Sequence, residues 1–173
     1  MVKFNRVWIM PNKWTFEMKP VSDLLYRYGV GKNWIDPFAG ISSPAEITND
    51  LNPKRPTQFH LDAKDFIIQL DKIYSGVLFD PPYSLRQLKE CYDSIGIGHV
   101  SYDDTTSFPN NIKDLLSPKI DIGGYAISFG WNTVGFGLHN GFELREILIL
   151  CHGGKHNDTL VTVEQKTQGE LSL

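Results

Sequence analysis

The stretch Asp80-Pro81-Pro82-Tyr83-Ser84 decides how this chain is read. It closes the run Gly76-Val77-Leu78-Phe79. A run that is short, apolar and stopped by prolines predicts a buried strand. Two prolines cannot continue a central strand, because neither carries an N–H for the ladder. Their rings also hold φ in a narrow range. Asp80 therefore sits at the carboxyl edge of a strand, and Tyr83 is held out over the same edge. In open α/β sheets ligands bind at that edge.

The chemistry that suits such a stretch is narrow. The exocyclic amino group of a nucleobase is a poor nucleophile, since its lone pair is delocalised into the ring. A carboxylate and a carbonyl that accept its two N–H bonds draw it toward tetrahedral geometry and free the lone pair. Asp80 offers the carboxylate, Pro81 the carbonyl, Pro82 the stiff turn, and Tyr83 a flat face for a flipped base. The plainer alternative is a proline turn with a capping Asp and a surface Tyr.

The totals fit one domain spanning residues 1–173. At 41% apolar and 21% charged, the chain has the composition of a soluble globular protein. Neither Cys91 and Cys151 nor the five His residues fall at metal-ligand spacing, so no metal site is expected. No apolar run is long enough for a bilayer, and the opening residues lack the apolar region of a signal peptide. The expectation is a reduced, cytoplasmic protein with no membrane partner. The net charge of −3 excludes a uniformly basic nucleic-acid binder. Residues 1–32, however, carry six Lys/Arg against two acids, a local +4 that leaves −7 for the rest. A basic arm on an acidic body is a candidate phosphate-contacting face, or equally an ordinary solvated surface.

Residues 1–18 read as an irregular basic arm with one short strand near Val7-Trp8-Ile9. Lys19-Pro20 opens a helix that Gly29 stops, with Val21, Leu24, Leu25 and Tyr28 on one face. Strands follow at 33–36, 47–50 and 58–61, then a helix facing Phe66, Ile67, Leu70 and Ile73 inward, then the strand that ends at Asp80. This places Asp36, Asp50, Asp62 and Asp80 on one edge of a parallel sheet. Helix capping accounts for Asp62 but not for Asp36, because Pro37 follows it. Beyond Ser84, residues 85–95 read as an amphipathic helix and 96–111 as a mobile polar loop. A short helix near 111–116, a strand at 124–131 and a closing hairpin complete the chain.

These motifs together resemble the DNA amino-methyltransferases that use S-adenosylmethionine, in particular their adenine-N6 branch. Asp80-Pro81-Pro82-Tyr83 is similar to that family's catalytic motif, and Asp36-Pro37-Phe38-Ala39-Gly40 to its cofactor motif. The resemblance covers most of residues 19–84. It implies an α/β, Rossmann-like class I methyltransferase fold: a mostly parallel seven-stranded sheet with an antiparallel C-terminal hairpin. It implies methyl transfer from S-adenosylmethionine to the N6 amine of a flipped adenine in DNA. Lys19, Asp36 and the backbone from Pro37 through Phe38 and Ala39 to Gly40 would hold the cofactor's methionine part, unless Lys19 is simply solvated. Asp50 would hold the ribose. Asp62 and Ala63 would hold the adenine, with Leu51 or Phe66 packed on its ring. Cytosine-N4 methylation, RNA methylation and a non-catalytic partner subunit stay open, as does a partner chain or homodimer. Two features depart from the family. Residues 41–47 leave no room for a full crossover helix after Gly40, and the chain has no space for a target-recognition domain.

Overall fold

In the computed structural model all residues are described except 13, 83–84, 94, 97–101, 155 and 170–173, with the side chains of 85–86 and 102–108 also set aside. The strands are β1 (Lys3–Trp8), β2 (Trp34–Asp36), β3 (Ile47–Thr48), β4 (Tyr74–Phe79), β5 (Ile120–Gly130), β6 (Phe142–Cys151) and β7 (Thr159–Lys166). The helices are α1 (Lys19–Arg27), α2 (Ala63–Gln69), α3 (Leu85–Asp93) and α4 (Tyr102–Leu116). One sheet forms in the order β1-β6-β7-β5-β4-β2-β3. β7 runs antiparallel to β5 and β6, and every other pairing is parallel. No described helix is long and apolar enough to cross a membrane.

Each face of the sheet buries its own core. On one side Ile35, Val77, Phe79 and Ala126 meet α2 and α4 through Phe66, Ile67, Ile112 and Leu116. On the other, Trp34, Leu78, Ile127 and Leu148 meet α1 through Val21, Leu24 and Leu25. Burying such side chains contributes about 1.5–3 kcal/mol each. Gly76 is required where β4 passes Trp34, since a Cβ there would lie 2.6 Å from the indole ring.

Several expectations are corrected. The arm at 1–18 is not irregular throughout, because Lys3–Trp8 pairs in parallel with β6 from Lys3↔Glu146 to Trp8↔Cys151. Its alternation was hidden because most of its side chains are exposed, on either face. The segment 58–61 forms no strand and makes a single parallel bridge, Asn49↔Phe59. There the Asn49 side chain replaces the ladder, accepting from the Leu61 N–H at 3.0 Å and donating to the Leu61 carbonyl at 3.0 Å. The seventh strand is thus β1, at the opposite end of the sheet.

The loop expected at 96–111 is helical from Tyr102 onward, and residues 97–101 lie outside the described set. Pro109 lies inside α4, where a proline ordinarily costs about 3 kcal/mol. The buried Ile112 and Leu116 anchor the helix regardless. Ile73, expected inward, is 52% exposed, because α2 ends at Gln69 with Leu70 filling the core.

Candidate active site at the carboxyl edge

β2, β3 and β4 end side by side, and beyond their ends lies a cavity of about 480 Å³. Asp50, Asp62 and Asp80 all reach it, together with Phe38, Pro81 and Pro82. Tyr92 and Leu88 of α3 close the far side. Three strand-end acids predicted from punctuation alone therefore face one space. Pro37, Leu51 and Ala63 line it as well.

The loop after β2 is tied down by polar bonds instead of a crossover helix, and residues 37–46 contain none. The Asp36 carboxylate accepts from the Phe38 N–H at 2.9 Å and the Ser43 hydroxyl at 2.6 Å. The Ala39 N–H donates to the Asn49 carbonyl, and the Asn49 N–H to the Asp36 carbonyl, both at 2.9 Å. Gly40 adopts φ 60° and donates its N–H to Asp50 at 3.1 Å. The other Asp50 oxygen accepts from the Asn52 N–H at 2.8 Å. Each oxygen keeps a lone pair, so Asp50 is both a brace for the loop and an acceptor at the cavity wall.

Asp62 caps α2 through the Lys64 N–H at 2.9 Å and accepts from the Tyr92 hydroxyl at 3.2 Å. Asp80 sits directly after the buried Phe79, whose ring meets those of Phe38 and Phe136 at centroid distances of 5.7 and 5.4 Å. Burial pushes its carboxyl up to about 7, and the neighbouring Asp36 charge pushes the same way. Asp36 is likewise raised to about 7 by burial; its bonds to Ser43 and Phe38 pull it down, and Asp50 pushes it up. A raised carboxylate next to another acid in a cleft is a functional-site signature.

The remaining residues fall elsewhere. Asp36 is completely buried, and neither it nor Ala39 and Gly40 line the cavity. Phe66 is fully buried in the core, which leaves Leu51 as the apolar candidate beside a ring. Lys19 bonds Asp23 at 2.9 and 3.0 Å with its side chain 82% exposed, away from this cavity. Tyr83 lies outside the described residues. Sequence reading missed Asn49, Arg55 and Tyr92 in the lining. Asn49 carried a usable signal, as a polar residue closing an apolar strand beside Asp50.

No family model matches the chain. No curated protein matches it in sequence. Experimental structures do match it in fold. The N-methyltransferase NodS from Bradyrhizobium japonicum superposes with a TM-score of 0.52 at 11% identity, over 91% of this chain and 100% of that one. The 1,6-didemethyltoxoflavin-N1-methyltransferase of Burkholderia thailandensis, bound to 1,6-didemethyltoxoflavin and S-adenosylhomocysteine, gives 0.58 at 13% over 90% and 81%. TrmN from Thermus thermophilus gives 0.55 at 17%, with 84% of this chain spanning 47% of that one. The chain has the Rossmann-like class I methyltransferase fold, a seven-stranded mixed sheet with its antiparallel strand near the C-terminus.

Proposed function

We propose that this chain binds S-adenosylmethionine in the cavity at the carboxyl edge and methylates the exocyclic N6 amine of adenine in DNA. The observation that carries the reading is the convergence of Asp50, Asp62 and the Asp80-Pro81-Pro82 turn on one cavity within this fold. The donor set fits the cofactor. Asp50 retains acceptor capacity for ribose hydroxyls. Asp62, with Ala63 and Leu51 around it, suits an adenine ring and its amino group. The backbone of Pro37 to Gly40, stiffened by Asp36, Ser43 and Asn49, borders the remaining part. When bound, the cofactor supplies a methyl group made electrophilic by its sulfonium.

The chain's own residues prepare the other reactant. Asp80 and the Pro81 carbonyl accept the two N–H bonds of the target amine and localise its lone pair on nitrogen. Pro82 stiffens the turn that presents them, and Tyr83 stacks on the flipped base. A carboxyl raised to about 7 is also suited to take the proton that the amine loses on acquiring a methyl group. Orientation of the reactants by fixed polar groups supplies the rest.

Calorimetric titration with S-adenosylmethionine tests the first half. Mass spectrometry of nucleosides, after incubation with DNA and a labelled cofactor, tests the second. The expected product is N6-methyladenine. N4-methylcytosine, or label confined to RNA, would move the target while keeping the cofactor. Absence of cofactor binding would overturn the reading.

A further inference from the structure

β1 is the last strand of the sheet, and among the described residues nothing pairs with its outer edge. Alternation places Phe4, Arg6 and Trp8 on one face. Phe4 is 64% and Trp8 69% exposed. Their register partners on β6 are Ile147, Ile149 and Cys151, and the two isoleucines are half-buried. The connection from β5 to β6, residues 131–141, holds only the single turn Leu138–Asn140 and no α-helix to cover this corner.

We propose that this face of β1 is a stacking ledge for unpaired nucleotides flanking the target base, which rests on the nucleic-acid reading above. The Arg6 guanidinium lies 5.6 Å from the Trp8 ring centroid and donates from Nε to Cys151 Sγ at 3.0 Å. It is thus held beside the Trp8 ring as a cation already placed for stacking. Phe4 and Trp8 are about 13 Å apart along the strand, room for about four stacked nucleotides at about 3.4 Å each. The opposite face of β1 borders a groove of about 650 Å³ shared with α1, where Lys3, Lys19 and Arg27 gather. Lys19 is paired with Asp23 and Arg27 with Glu146, whereas among the described residues Lys3 has no carboxylate partner.

A nucleic-acid strand fits this ledge better than a protein or lipid face would. An apolar partner would bury Arg6 at the cost of its hydration. A polyanion with π-faced bases satisfies the cation and the rings together. The geometry also connects ledge and cavity. β1 runs parallel to β6 and so presents its C-terminal end on the same edge as Asp80. It stands four strand positions from β4, about 19 Å, which about five or six stacked nucleotides would bridge.

The test is fluorescence anisotropy with a labelled single-stranded thymidine oligonucleotide of about twelve residues, long enough to cross the ledge and free of adenine. Wild-type protein is expected to bind it. Trp8→Ala should weaken binding about 5- to 150-fold, while Trp8→Phe retains most of it. Lys3→Ala should reduce the salt slope by about 0.7. Trp8 is largely exposed, so the melting temperature of Trp8→Ala should stay near wild type. For long adenine-containing strands Trp8→Ala should raise KM and leave kcat alone, and for the shortest substrates it should change neither.

If the protein methylates adenine but Trp8→Ala alters neither oligonucleotide affinity nor KM, the ledge is wrong and the catalytic reading survives. If the oligonucleotide binds through Trp8 yet no methyl is transferred, the catalytic reading falls and the ledge stands. Absence of oligonucleotide binding, with Trp8-dependent sedimentation on anionic phosphatidylserine vesicles or a dimer lost in Trp8→Ala, would overturn the ledge.

Discussion

β5 and β7 pair continuously from Tyr125↔Gln165 to Gly130↔Leu160, and β6 and β7 from Phe142↔Lys166 to Leu150↔Thr159 with one bulge between Leu144 and Glu146. β2 and β3 share only Ile35↔Ile47 and Asp36↔Thr48. The hairpin end of the sheet is held mainly by long repeated ladders, to which the buried Glu164 and Lys166 add their own bonds. The cofactor end is held by separate side-chain bonds from Asp36, Ser43, Asn49 and Asp50, in place of a crossover helix and a third strand ladder. Single substitutions should therefore act differently at the two ends, and the residues assigned to the cofactor and the target amine lie at the sparsely held one.

Asp80 gives the sharpest break. Asp80→Ala should lower single-turnover methyl transfer about 100- to 1,000-fold, the usual cost of removing one preorganised polar group. Cofactor binding should persist, because the carboxylate acts mainly as charge develops on the amine. The variant should still fold. A variant that melts lower yet transfers at the wild-type rate would make Asp80 a strand cap and no more.

Asn49→Ala tests the comparison itself. Asn49 is 1% exposed and bonds the Pro37 carbonyl and both backbone groups of Leu61. Its loss leaves one buried and two partly buried groups unpaired and should cost about 2–3 kcal/mol, which lowers the melting temperature by about 4–12 °C. Arg145→Ala in the hairpin removes a bond to Gln165 and an ion pair with Glu143. Both are partly exposed, so the expected change is within about 0.5 kcal/mol. Equal losses in the two variants, read by denaturant titration, would refute the contrast.

The same contrast explains what could be read from the sequence. Asp36, Asp50, Asp62 and Asp80 were legible because prolines and turns mark strand ends, and the structure brings three of the four to one cavity wall. Residues 58–61 looked like a strand because Phe59 and Leu61 alternate, but only the fold shows the Asn49 side chain standing in for a ladder. Of β1 only the end at Val7-Trp8 was legible, because an edge strand with exposed side chains has little apolar alternation to read. α4 was hidden by Pro109 and a polar first half, since its stability comes from Ile112 and Leu116 docking on the sheet and not from local propensity.

The two raised carboxyls predict a pH dependence confined to the cofactor end. In the unfolded chain both aspartates titrate near the ordinary value, whereas in the folded protein Asp36 and Asp80 titrate at about 7. Between these values the folded state binds more protons than the unfolded state. Stability without cofactor should therefore be greatest below about pH 4 for these two groups and decline as pH rises to about 7. Water reaching the cavity limits the effect to about 1–2 kcal/mol. Melting curves across this range should flatten in Asp80→Asn, and an unchanged slope would place the two carboxyls in better-solvated surroundings.

Lys19→Ala should do least. Resemblance alone makes Lys19 a partner for the cofactor's carboxylate, but the structure gives it another. Its ammonium bonds both oxygens of Asp23 one helical turn away, on an exposed surface. An exposed i,i+4 pair contributes about 0.3–0.5 kcal/mol, so the melting temperature should move by no more than about 2 °C. Lys19 lines the groove beside β1 and not the cavity beneath Asp50, so calorimetric affinity for S-adenosylmethionine should match wild type. Asp23→Ala sharpens the test, because it releases the lysine without removing it. If Lys19 swings to the cofactor, Asp23→Ala should tighten binding and Lys19→Ala should weaken it. If Lys19 belongs to the surface of α1, neither variant changes affinity, and the backbone from Pro37 to Gly40 holds the carboxylate end without a lysine.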